Sequence, residues 1–301
     1  MSRNFTTHEG LQLHRIDKPQ IGLMAGWGDF PLAVVKSMKA NGYKVYCAGL
    51  RGHADPMLAD ICDGFTWCGL LRFGTSIRFF KKNHCSDAVM AGKVFKVQLL
   101  QPWRWLRFLP DWRTMTGLPR VLRRDGRDDT LLSWVVEEFA RDGVRFQPAT
   151  DYAPELLVKA GLLTRRRPTD AQRHDIQLGW SMAKEMGRLD IGQSVMVKDK
   201  AVIAVEAIEG TDECIRRAGA LCRGGFTVVK VAKPQQDMRF DVPTVGLQTL
   251  QTMLDAGGKV LAIEADRTII LDQPSLIDFA NRHGMVVVAL QTDASGVPQL
   301  A

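Results

Sequence analysis

The stretch Ile21-Gly22-Leu23-Met24-Ala25-Gly26-Trp27-Gly28-Asp29-Phe30-Pro31 sets a short apolar run against a turn with glycines at 26 and 28. The run has the length of a strand, and the glycines give the backbone the freedom a sharp turn needs. Proline just after the turn suits the first turn of a helix, where its missing N–H has no partner to lose. The unit reads as strand, turn, helix. Leu32 to Asn41 continues the helix, Gly42 stands where a left-handed cap is wanted, and Lys44 to Gly49 is the next strand. A helix over Ser76 to Lys82 and a strand over Asp87 to Ala91, ending at Gly92-Lys93, keep the alternation going. This is the order of a doubly wound, Rossmann-like α/β domain, whose ligands gather at the carboxyl ends of its strands.

Further along, Leu131, Leu132, Val135, Val136 and Phe139 repeat at helical spacing over Asp129 to Arg141. Beyond Pro168 a second α/β half begins. Thr169 or Asp170 caps a helix to about Gly187, and strands Ser194 to Lys198 and Ala201 to Ala207 flank the turn Asp199-Lys200. A helix from Thr211 to Cys222, a strand from Phe226 to Ala232, a helix from Gly246 to Ala256, strands at Lys259 to Glu264 and Thr268 to Leu271, a last helix and a strand from Met285 to Leu290 complete it. The expected layout is a polar extension over 1–20, a Rossmann-like domain over 21–150, a linker over 151–168 with Arg165-Arg166-Arg167, and a C-terminal α/β catalytic domain over 169–301.

The 301 residues are 46% apolar and 24% charged, which excludes disorder and fibrous classes. The formal charge of +7 is local: Lys93, Lys96, Arg104, Arg107, Arg113, Arg120, Arg123, Arg124 and Arg127 face only Asp111 and Asp125, and the rest of the chain is neutral. Phe95, Trp103, Trp105, Phe108 and Trp112 interleave that window, so it reads as a groove for single-stranded nucleic acid, a patch for an anionic membrane surface, or solvated surface over buried tryptophans. No nucleic-acid-binding signature occurs elsewhere. The six cysteines form no C-x-x-C pair and read as reduced core thiols. No secretory signal or spanning apolar run is found, so a cytoplasmic protein is expected.

Two places can carry chemistry. Backbone N–H groups at Gly26 and Gly28, with the helix end behind them, can face a phosphate, although the pattern is not G-x-G-x-x-G and no acidic residue closes the second strand. The second half is denser: Asp190 and Gln193 before one strand, Glu206 near the end of the next with Glu209-Gly210-Thr211-Asp212 following, and Asp237-Met238-Arg239-Phe240-Asp241 after a strand carrying Lys230 and Lys233. Carboxylates at strand ends beside lysines and a Gly-Thr helix start suit a phosphoanhydride with Mg²⁺. Plainer assignments exist as well: Thr211 as a helix N-cap, Arg216-Arg217 as a solvated face, and Asp190 and Asp241 as turn residues. Histidine spacing supports no metal site or triad.

At these residues the sequence resembles a known family. The glycine-turn block, Val89-Met90-Ala91-Gly92-Lys93-Val94, Leu189-Asp190-Ile191-Gly192-Gln193-Ser194-Val195, Ala204 to Asp212 with Arg216-Arg217-Ala218-Gly219, and Lys230 to Gly246 are similar, in order and spacing, to blocks of the LpxI-type UDP-2,3-diacylglucosamine pyrophosphatases. The resemblance implies a Mg²⁺-dependent hydrolase of lipid A biosynthesis that splits UDP-2,3-diacylglucosamine into UMP and 2,3-diacylglucosamine 1-phosphate (lipid X), with water attacking the sugar-side phosphorus. It also implies two α/β domains holding substrate between them, and a homodimer.

The family's essential aspartate falls on Asp241, which is expected as a Mg²⁺ ligand, together with Asp237, or as the group that orients water. Lys230, Lys233 and Arg239 are expected to neutralise the diphosphate, with Gly210 and Thr211 as a second cradle and Gln193 and Gln236 on phosphate or sugar oxygens. Lys93 belongs to the basic window, which is expected to reach the lipid-linked substrate at the anionic inner-membrane surface rather than nucleic acid. A dinucleotide-binding oxidoreductase and a basic nucleic-acid or membrane-surface binding protein are the competing readings.

Overall fold

The computed structural model describes residues 18–94, 111–112, 114–115, 128–239, 241–293 and 297–299. The expectations placed on residues 1–17, on Lys96, Arg104, Arg107, Arg113, Arg120, Arg123, Arg124 and Arg127, and on Phe95, Trp103, Trp105 and Phe108 lie outside the described residues.

In the first half the order is β1 (Gln20–Ala25), α1 (Phe30–Ala40), β2 (Lys44–Leu50), α2 (Leu58–Ile61), β3 (Gly64–Cys68), α3 (Phe73–Lys82), β4 (Asp87–Ala91), α4 (Asp128–Arg141) and β5 (Arg145–Phe146). These strands pair in parallel in the order β3-β2-β1-β4-β5. The chain builds outward from β1 on one side and then crosses to start β4 on the other, so the β1 and β4 ends form the switch point of a doubly wound sheet. Strand alternation sends Ile21, Leu23 and Ala25 against Val34, Val35 and Met38 of α1, while Met24 packs on the other face with Ile77, Phe80 and Phe139. Gly22 shares that second face because a Cβ there would stand 3.0 Å from the Phe80 ring.

The second half follows as α5 (Ala149–Tyr152), β6 (Gly161–Leu162), α6 (Asp170–Arg188), β7 (Ser194–Lys198), β8 (Ala201–Val205), α7 (Thr211–Leu221), β9 (Thr227–Lys230), β10 (Thr244–Val245), α8 (Leu247–Ala256), β11 (Val260–Glu264), β12 (Ile269–Ile270), α9 (Gln273–Arg282), β13 (Val286–Thr292) and β14 (Pro298–Gln299). Its main sheet runs β14-β13-β11-β9-β7-β8, with β6 also on β13. Strands β9, β11 and β13 are parallel, and β7 is antiparallel to both of its neighbours, β9 and β8. Helix α6 covers one face through Ile176, Trp180 and Ala183, and α7, α8 and α9 cover the other.

Local chemistry fixes the ends. Thr169 accepts from Gln172 N–H at 3.3 Å while Gln172 accepts from Thr169 N–H at 2.9 Å, a capping box that starts α6. Asp199 and Lys200 both take positive φ in the β7–β8 turn, and their N–H groups donate to buried Asp175 at 3.2 and 2.7 Å.

Residues 149–163 cross from one half to the other. Asn41, which follows α1 as its C-cap, donates to Tyr152 O at 3.1 Å, and Ser37 of α1 donates to Glu155. Beyond them Val158 N–H donates to Thr268 O at 2.9 Å and Lys159 pairs with Asp266 at 2.7 Å. Among the described residues no helix is long and apolar enough to cross a membrane, and all six cysteines are free.

Candidate active site

The ends of β8, β7 and β9 lie side by side and place three polar side chains in one row. Ser194 pairs with Lys230 across β7 and β9, and Glu206 N–H donates to Ser194 O at 2.9 Å from the end of β8. Directly opposed residues of antiparallel strands share a face, so Glu206, Ser194 and Lys230 all stand on the side covered by α7. Two residues inward, Ala204, Met196 and Val228 continue that face as core. Lys230 Nζ donates to Thr211 Oγ1 at 3.0 Å, and Thr211 donates to Glu206 Oε1 at 2.8 Å.

Thr211 is therefore not the helix N-cap that residue type alone favours. Gly210, at φ 84°, holds that position without a side-chain bond, and Thr211 is the first residue of α7, with its hydroxyl spent on the buried pair. Gly192 fixes the neighbourhood, since a Cβ there would fall 2.0 Å from Glu206 O.

Burial lowers the pKa of Lys230. Glu206 opposes that effect, the Lys93 ammonium adds to it, and Asp212 and Asp241 oppose it more weakly. Lys93 comes from the first half, so both halves contribute charge to one place.

Lys93 is delivered by a backbone clasp at the β1–β4 switch point. Trp27 and Lys93 exchange N–H···O bonds of 2.8 and 2.9 Å, and Gly26 N–H donates to Ala91 O at 2.8 Å. Gly26 is required because its Cβ would meet Lys93 O at 2.6 Å. The N–H groups of Gly26 and Trp27 are thus committed to backbone carbonyls. Gly28, at φ 104°, has open space where a Cβ would be.

The segment after β9 is held close to the same strand ends. Lys233 Nζ pairs with Asp190 at 2.6 Å, and its N–H donates to Gln236 Oε1 at 2.8 Å. Gln236 in turn donates from Nε2 to Asp241 Oδ2. Arg239 grips Asp237 through Nε at 2.9 Å and Nη2 at 2.6 Å, and that hydrogen bonding holds the Asp237 carboxyl below the usual carboxylate range. Asp237 and Arg239 are consequently each other's partners, while Asp241 is oriented by an amide. Gln193 receives Val231 N–H on its backbone carbonyl at 3.0 Å, and its side-chain Oε1 is buried without a partner among the described residues.

No group of three or more His, Cys, Asp or Glu side chains that could hold a metal occurs among the described residues. Mg²⁺ is commonly held by one or two carboxylates plus substrate phosphates, and the single carboxylate of Asp241, oriented by Gln236, fits that shared mode better than a closed protein cage.

On the α6 face a groove of about 760 Å³ opens at the ends of β11 and β13, lined by Trp180, Lys184, Pro234, Asp266, Arg267 and Gln291 among others. Below it Lys184 Nζ lies 2.8 and 2.7 Å from the two oxygens of buried Glu264, and Ala232 N–H donates to the same carboxylate at 2.8 Å. Residue type and strand-end position point to Glu206, but nothing in the linear sequence joins it to Ser194 or gives Lys184 and Glu264 a task.

Two family models match the chain: one described as the LpxI N-terminal domain over residues 20–156, the other as the LpxI C-terminal domain over residues 159–288. A curated protein of Caulobacter vibrioides (strain ATCC 19089 / CIP 103742 / CB 15), named UDP-2,3-diacylglucosamine pyrophosphatase LpxI, is 31% identical over 286 residues, which covers 90% of this chain and 97% of that protein.

Proposed function

The chain belongs to the LpxI family, and on that footing we propose that it hydrolyses the diphosphate of UDP-2,3-diacylglucosamine to UMP and 2,3-diacylglucosamine 1-phosphate. The observation that carries the reading is the buried Lys230, hydrogen-bonded through Thr211 to Glu206 at the start of α7, whose charge also feels Lys93 of the first half and Asp212 and Asp241 of the second. The Lys93 ammonium disfavours the Lys230 charge that burial already disfavours, and a polyanion bound there relieves that effect. Water attacks the sugar-side phosphorus, and UMP leaves with the bridging oxygen.

Lys93 and Lys230 bind the diphosphate oxygens and the N-terminus of α7 at Gly210 and Thr211 faces the same charge. Asp241, held by Gln236, would be the protein ligand of Mg²⁺, with Asp237 kept in reserve behind Arg239. When bound, the ion supplies positive charge to the diphosphate as negative charge shifts toward the leaving phosphate. Lys233 holds the loop to Asp190 and so supports the geometry around Asp241.

The deciding assay incubates the purified full chain with UDP-2,3-diacylglucosamine and Mg²⁺, with and without chelator. UMP release that chelator abolishes supports the reading, and no UMP in either tube overturns it. In ¹⁸O-labelled water the label is expected on the lipid phosphate; label in UMP would reverse the point of attack. Asp241→Ala is expected to bind substrate and lose about a hundredfold or more of turnover. Near-normal turnover would remove Asp241 from the machinery.

A further inference from the structure

Two oxygens of the strand-end row, Glu206 Oε2 and Ser194 Oγ, are buried without a hydrogen-bond partner among the described residues. They share the row with Lys230, whose ammonium donates only to Thr211 among those residues. The three side chains are 8, 0 and 7% exposed, so bulk solvent does not supply the missing bonds. Buried polar groups rarely go unmatched, and this row offers two acceptors, one hydroxyl donor and an ammonium in a single place.

The chemistry of the row selects its occupant. Between Ser194 and Glu206 a metal ion is repelled by Lys230 and a phosphate oxygen by the Glu206 carboxylate, so of the three Lys230 N–H groups one serves Thr211, one the row and one the diphosphate outside it. A water both accepts from Lys230 and donates to Glu206 and Ser194, which is the three-bond environment buried waters occupy.

Building on the hydrolase reading above, we propose that Glu206, Ser194 and Lys230 hold the attacking water and that Glu206 is the catalytic base. Glu206 Oε1 is committed to Thr211, and its backbone is pinned by Ser194 O and by the Gly192 contact, so Oε2 is directed into the row. The water oxygen bonds to phosphorus and its proton passes to Glu206 Oε2. The bond from that phosphorus to the bridging oxygen breaks, and its electron pair leaves on UMP. Glu206 returns the proton to solvent when the products depart.

The other charged or titratable groups around the row, among the described residues, are Lys93, Glu209, Asp212, Cys214, Arg217 and Asp241, and Arg217 is tied to Val205 O at 2.7 Å and to the Glu209 carboxylate. Glu206→Gln leaves all of them in place and keeps an acceptor for Thr211, so it isolates the base.

The experiment measures kcat and KM against pH for the full-length wild-type chain and Glu206→Gln with UDP-2,3-diacylglucosamine and Mg²⁺. The expected result is a fall in kcat of about a hundredfold or more, KM within about threefold, and loss of the acidic limb of the kcat profile. Turnover within about tenfold of wild type, or an acidic limb that persists, overturns the assignment. If that variant does not fold, Ser194→Ala decides, with a fall in kcat of about tenfold at unchanged KM expected and an unchanged kcat fatal to the proposal. A wild-type chain that releases no UMP overturns the hydrolase reading and this one with it. An active wild type beside an equally active Glu206→Gln removes only the base.

Discussion

At the scale of single residues, the most confined position is Gly192. With Glu206 O only 2.0 Å from where a Cβ would sit, Gly192→Ala must push the end of β8 away from the loop and carry Glu206 with it. The expected cost is about 1–3 kcal/mol, read from denaturant midpoints, with kcat falling alongside. An unfolding curve superimposable on wild type would mean that the backbone yields freely.

Asp237 gives a pH signature. Its pKa is lowered in the fold by Arg239, so the pair's stabilisation is present above the ordinary carboxylate value and is lost as pH falls through the lowered one. Arg239→Gln is expected to cost about 0.5 kcal/mol at neutral pH and nothing in strong acid, because the pair is partly exposed. A gap that persists in acid would refute the linkage. Residue types and their order along the chain made Asp241, Lys230, Lys233 and Gln236 legible as one site. Glu206 was visible only as a carboxylate after a strand, because its bonds to Thr211 and its row with Ser194 depend on which strands become neighbours.

Elements show the same division. The glycine turn, a cap at Thr169 or Asp170 and the turn Asp199-Lys200 announce themselves through local backbone demands, and the structure has the turns where the sequence puts them and chooses Thr169 as the cap. Strand β3 does not: it is a half-exposed edge strand without a sustained apolar run, and β5 and β6 have two residues each and exist only through their neighbours.

The last turns of α6 act as a cradle for the loop after β9. Lys184 and Glu264 clasp Ala232 from below, Gly187 leaves room for Lys233 Cα at 3.1 Å, and Gln235 donates to Gly187 O at 3.0 Å. Glu264→Gln leaves Lys184 without its countercharge and loosens the start of the segment that ends at Asp241. A loss of about 1–3 kcal/mol in unfolding free energy is expected, with kcat affected more than KM. Unaltered stability and kcat would show that the loop holds itself.

At the scale of the whole molecule, apolar side chains stand out near the charged centre. Trp27 (50% exposed) is clasped to Lys93, Ile191 (49%) adjoins Gly192, and Ile208 lies fully exposed two residues from Glu206. Exposed apolar groups beside the proposed phosphate-binding centre suit a substrate with one polar end and one greasy end. Ile208→Ser is expected to raise KM for the diacylated substrate several-fold without weakening the binding of UMP; an unchanged KM would leave the residue without a role. The basic window extends the same logic. Charge reversal at Arg104, Arg107 and Arg113 is expected to weaken binding to anionic vesicles in a sedimentation assay, and unchanged binding would return the window to ordinary surface.

On the proposed reading Lys93 and Lys230, one from each half, serve the same diphosphate, so an anion of sufficient charge ties the two halves together. Inorganic pyrophosphate should therefore raise the melting temperature most at low salt, where screening is weakest, and Lys93→Met should abolish the gain. Once the diphosphate is divided between two products, neither one alone carries the charge that ties both lysines, and UMP is expected to raise the melting temperature less than pyrophosphate does.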